Sequence, residues 1–91
     1  FDFAVWTPKK SLSLIHLLST RNPAGTSNIV NRTVTLWVDI MNKKSFKANR
    51  YSIIDDSFLA WKQEDINMLK LVSDVYLWSN KNTFLEKLTS A

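Results

Sequence analysis

The chain reads as an α/β domain, a small four-stranded parallel sheet flanked by helices, on three observations. The first is Thr33–Ile40, where six of eight residues are β-branched or aromatic and so fit an extended, pleated backbone. The second is the apolar 3/4 spacing that follows Thr7-Pro8, the mark of an amphipathic helix. The third is the alternation of strand-like with helix-like stretches, which requires crossovers and a largely parallel sheet covered on both faces. The predicted order is β-α-β-β-α-β-α.

Phe1–Trp6 alternates in part and then turns apolar, as a strand entering a core does. Thr7 suits an N-cap and Pro8 a first helical position, so a helix is predicted to about Arg21, with Leu12, Leu14, Ile15, Leu17 and Leu18 on its apolar face. Asn22-Pro23-Ala24-Gly25 stops it, and Ile29-Val30 allows a short strand. In Thr33–Ile40, Val34, Leu36 and Val38 fall on one face and Thr35, Trp37 and Asp39 on the other, which predicts a central strand. Asn42–Ser45 is a polar turn, and Phe46–Ile54 is open between strand and irregular structure. Asp55-Asp56-Ser57 places acidic groups where a helix dipole favours them, ahead of Phe58, Leu59, Trp61, Lys62, Ile66 and Leu69 at helical spacing. Val75–Trp78 is a short strand; Asn80 or Asn82 caps a last helix with Phe84, Leu85 and Leu88 on one side.

Ninety-one residues, 45% hydrophobic and 22% charged, make one globular domain, read as a piece of a larger protein because it opens on Phe. Its aromatics (five Phe, four Trp, two Tyr) supply a compact core. No apolar run approaches the roughly 18 residues of a membrane span, so no membrane is expected. The absence of cysteine removes thiol chemistry, disulfides and thiolate metal sites, and favours an intracellular setting. With one histidine, His16, and no Gly-rich phosphate loop, neither a triad nor a metal cluster assembles; no enzyme and no cofactor is expected. His16 reads as structural. Adjacent acids such as Asp55-Asp56 and Glu64-Asp65 diverge on a helix and read as helix-start and solvated charges.

Phe3-Ala4-Val5-Trp6, Leu14-Ile15-His16-Leu17-Leu18, Val34-Thr35-Leu36-Trp37-Val38 and Val75–Ser79 with Phe84–Leu88 together resemble the strands and helices of the BRCT domain, in order and in length. The Gly-Gly pair that the family carries after its first helix is absent, and Ser79 and Phe84 are two residues farther apart than usual. The resemblance implies a non-catalytic interaction module of a nuclear chromatin or DNA-repair protein that binds a short peptide, phosphorylated or not. It places Thr7 at a phosphate, with Lys9, Lys10 and Lys62 as the cations; Pro8 stands where the family has a Gly whose N–H binds phosphate. The rival fold is ferredoxin-like, which shares the β-α-β-β-α-β order and would pair Phe46–Ile54 with Thr33–Ile40. Strand order 2-1-3-4, all parallel, would mark the first; antiparallel 4-1-3-2 would mark the second.

The net charge of +4 is what solubility alone requires, yet it also suits an anionic partner. Lys43, Lys44, Lys47 and Arg50, with Tyr51 beside them, form the densest basic stretch and give the alternative function, nucleic-acid binding.

Overall fold

The computed structural model describes residues 2–43, 48–57 and 61–90. Its elements are β1 (Phe3–Trp6), β2 (Leu12–Leu18), α1 (Thr26–Met41), β3 (Asn49–Ile54), α2 (Gln63–Lys70), β4 (Asp74–Leu77) and α3 (Lys81–Ser90). Short 3₁₀ turns at Pro23–Gly25 and Trp78–Asn80 lead into α1 and α3. Among the described residues the fold is α/β, a four-stranded sheet flanked by three helices. The strands lie in the order β1-β2-β3-β4; β1 and β2 are antiparallel, the other two pairs parallel. The order is neither 2-1-3-4 nor 4-1-3-2, and the sheet is not wholly parallel.

Two segments exchange the roles predicted for them. The stretch after Thr7-Pro8 is not a helix; it closes a β-hairpin and continues as β2. The Thr7 N–H donates to the Ser11 carbonyl at 2.8 Å and the Lys10 N–H to the Thr7 carbonyl at 2.8 Å, while the Thr7 hydroxyl accepts the Ser11 N–H at 3.1 Å. The short run 12–18 carries apolar residues at both periods, so periodicity alone leaves helix and strand open. Ladders on both sides decide it: Ile15 pairs with Phe3 on one flank and Tyr51 on the other.

Conversely, Thr33–Ile40 lies inside α1 and is not a strand. The helix buries Thr26, Val30, Thr33, Trp37 and Ile40, spaced 4, 3, 4 and 3 apart, in one stripe against the sheet. The Thr33 and Thr35 hydroxyls are satisfied within the helix, donating to the Ile29 and Asn31 carbonyls one turn back at 2.8 and 3.0 Å. A parallel β2–β3 pair needs a crossover of a dozen or more residues, and this segment supplies it.

Asp55-Asp56-Ser57 does not start a helix either. The Ser57 N–H donates to Asp55 Oδ1 at 3.0 Å in a tight turn, and α2 begins at Gln63 with Lys62 as its N-cap residue. Phe58 and Leu59, assigned by sequence to that helix, lie outside the described residues. The last strand and last helix appear where expected, as β4 and α3.

Helices α1 and α2 cover one face through two clusters, Leu18, Val30, Ile54, Trp61 and Leu69, and Leu14, Trp37, Ile40 and Val72. On the other face Phe84 of α3 packs on Ile15, Tyr51 and Ile53. Its ring lies 5.3 Å from both Tyr51 and Tyr76, edge-on to the first. Trp37 is wholly buried, and its indole N–H donates to Ser52 Oγ at 2.9 Å; Ser52 bonds Ser73 Oγ at 2.6 Å, which donates to the Leu69 carbonyl at 3.0 Å. That hydroxyl chain ties α1, β3 and α2 together.

Candidate anionic-partner site at one end of the sheet

Parallel strands give the sheet two unlike ends. At the end where β2, β3 and β4 begin stand the hairpin turn 7–10, the C-termini of α1 and α2, and the first residues of β3 and β4. This end carries Lys9, Lys10, Lys43, Arg50 and Lys70, against the carboxylates of Asp39 and Asp74. The opposite end carries Asp2, Asp55, Asp56, Glu64 and Asp65, with Arg21, Lys62 and Lys81. The excess positive charge therefore sits at one end. Neighbouring cations within a Debye length, about 8–10 Å, act on a partner together.

A cleft of about 250 Å³ opens at the basic end, lined among others by Asn49, Arg50, Lys70, Leu71, Ser73 and Asp74. The Arg50 Nε donates to the Val72 carbonyl at 2.8 Å, which fixes the guanidinium at the mouth. Asp74 and the C-terminal end of α2 disfavour an anion deep in the cleft. Its cationic rim, not its floor, is the part suited to an acidic group.

The predicted phosphate residues do not converge. Thr7 is buried and its hydroxyl is taken up by the turn, and among the described residues no helix begins beside it. Lys9 and Lys10 are exposed at the hairpin tip, Lys10 with φ of 61°. Lys62 stands at the N-cap of α2, across the length of β2 from that tip, about 20 Å at ~3.3 Å per residue. Comparison with protein-family models, curated proteins and solved structures finds no match for this chain.

Of the alternative set, Lys43 and Arg50 lie at the basic end, and Lys44 and Lys47 fall outside the described residues. Tyr51 is 2% exposed and packed on Phe84, so it cannot stack on a base. Sequence reasoning missed Lys70. Its signal was available: in any parallel β-α-β unit the helix ends near the start of the preceding strand, here beside Arg50.

At the opposite end a groove of about 320 Å³ is lined by Leu17, Leu18, Ser19, Ile53, Asp55 and Trp78. The Ser57 hydroxyl and backbone N–H hold the Asp55 carboxyl below its ordinary range, and the Ser79 hydroxyl does the same for Asp56. These carboxylates make that end unsuited to a phosphate. Asp56 accepts the Ser79 N–H at 3.0 Å and hydroxyl at 2.6 Å, and Asp65 accepts from Ser27 Oγ at 3.1 Å, so the acidic pairs brace loops and helix ends.

His16 lies on β2, its Nδ1 buried without a hydrogen bond, 3.5 Å from Asp2 Oδ2, and its ring edge-on to Trp37. Burial pushes its pKa down, against the pull of Asp2. Asp2 also accepts the Leu17 N–H at 2.7 Å, which pins the start of the hairpin. Among the described residues no three His, Cys, Asp or Glu side chains gather into a metal site. No helix among them is long and apolar enough to cross a membrane.

Proposed function

We propose that the domain is a non-catalytic interaction module that takes an acidic or phosphorylated segment of a partner protein at the basic end of its sheet. The observation that carries the reading is the grouping of Lys9, Lys10, Lys43, Arg50 and Lys70 at one end, with the carboxylates concentrated at the other. An acidic side chain or phosphate would sit at the rim of the Arg50/Lys70 cleft, where a planar guanidinium can offer paired donors. The hairpin lysines would meet flanking acidic residues. The reading rests on charge and topology rather than on the BRCT likeness, whose nuclear setting and phosphopeptide ligand stand as part of the proposal.

Single-stranded nucleic acid is the second reading, favoured by Trp6, which is 70% exposed next to the turn that carries Lys9 and Lys10. Among the described residues, burial of Tyr51 leaves Trp6 as the one ring beside the basic end, which makes a peptide the better fit. Titration with matched acidic, phosphorylated and neutral peptides, and with a short single-stranded DNA, separates the readings. Arg50→Ala with Lys70→Ala is expected to weaken acidic-peptide binding about tenfold. Equal binding of acidic and neutral peptides would refute the proposal.

A further inference from the structure

Strand β1 is an edge strand exposed along all four residues, Phe3-Ala4-Val5-Trp6, with Phe3 53% exposed and no charge to discourage pairing. In an antiparallel pair the residues bonded to the neighbour alternate. Because the Thr7 N–H points to Ser11, the groups of Phe3 and Val5 face β2, and those of Ala4 and Trp6 face outward. From this free edge we infer that the chain forms a symmetric dimer by antiparallel pairing of β1 with β1 of a second copy, Ala4 opposite Ala4 on the two-fold axis.

That register places Phe3 of one chain opposite Val5 of the other, both on the α3 face, so the apolar pair occurs twice. It also satisfies the outward groups of Ala4, sets the Trp6 N–H opposite the Asp2 carbonyl of the second copy (the Asp2 N–H stays on the Ile15 carbonyl at 2.9 Å), and joins two four-stranded sheets into one. Charge selects the antiparallel direction. The hairpin tip with Lys9 and Lys10 is brought toward the end of the partner that carries Asp2, again twice; parallel pairing would set the two lysine tips side by side. The cleft at Arg50 and Lys70 belongs to β3, α2 and β4, away from this edge, so only the hairpin lysines serve both surfaces, and the Ala4→Cys crosslink reads the dimer without reference to the proposed ligand.

The chain has no cysteine, so Ala4→Cys introduces a single thiol. Cα atoms of a bonded antiparallel pair lie about 5.5 Å apart, within the range a disulfide spans. Sedimentation of the unaltered chain is expected to show a dimer that weakens with added salt. Ala4→Cys is expected to form a covalent dimer on mild oxidation, while the exposed control Leu85→Cys does not. Val5→Lys is expected to weaken dimerisation about tenfold or more with an unchanged circular-dichroism spectrum. A chain that stays monomeric at about 1 mM, or a dimer in which Ala4→Cys crosslinks no better than Leu85→Cys, would overturn the inference.

Discussion

The hydroxyl chain beneath Trp37 offers the sharpest test of how this core holds together. Ser52→Ala removes the acceptor of the buried indole N–H and leaves that donor enclosed by Leu14, Ile40 and Val72. An orphaned buried donor costs about 1–3 kcal/mol, whereas a satisfied bond contributes only about 1 kcal/mol net. A loss of about 2 kcal/mol is therefore expected, a large part of the roughly 5–15 kcal/mol that holds a domain of this size. Ser73 keeps its bond to the Leu69 carbonyl, so the damage should stay local. Trp37→Phe removes the donor as well as ring volume. In its background Ser52→Ala should be much milder, because no indole N–H remains to be stranded. Urea unfolding of the two single variants and the double, followed by circular dichroism, should give a coupling of about 1 kcal/mol. Additivity within about 0.3 kcal/mol would refute the role given to this bond.

Two further outcomes follow from single residues. His16 has a folded pKa below its unfolded value of about 6.5, so the unfolded chain takes up the proton first. Its contribution is complete above pH ~6.5, declines as pH falls below that, and levels off under the folded pKa; His16→Gln should flatten this limb of the urea midpoint against pH. Asp2→Asn removes the influence that raises the pKa and should carry the decline to lower pH; no change would sink the assigned contact. At the hairpin tip Lys10 adopts a left-handed conformation. Lys10→Gly should raise the free energy of urea unfolding by about 0.5–1 kcal/mol and Lys10→Val should lower it; the reverse order would refute a strained left-handed Lys10.

What could be read in advance was uneven, for definite reasons. The class of fold, the last strand and the last helix followed from local pattern, since Val75–Trp78 and the Phe84/Leu88 spacing each favour one period. Residues 12–18 and 33–40 did not, because each carries an apolar pattern that serves both periods. Thr33–Ile40 has strand-like composition, yet Val30, Thr33, Trp37 and Ile40 also align every three or four residues. The site was legible in part. Lys9, Lys10, Lys43 and Arg50 were singled out, but grouping them with Lys70 and parting them from Lys62 needed the direction of each strand.

By itself the sequence determined composition-level properties: a globular α/β chain with a modest basic excess, rich aromatics and no thiols. It also marked where the chain must turn, at Asn22–Gly25 and near Asn42. Only the tertiary structure decided which ambiguous segment became strand and which became helix. The physical reason is pairing: a β2 flanked by β1 and β3 satisfies its backbone on both sides, and the following segment must then cross over the sheet. The same choice sorted charges that are scattered along the chain into a basic and an acidic end. It also left β1, opened in sequence as a strand entering the core, at the edge with its side chains exposed.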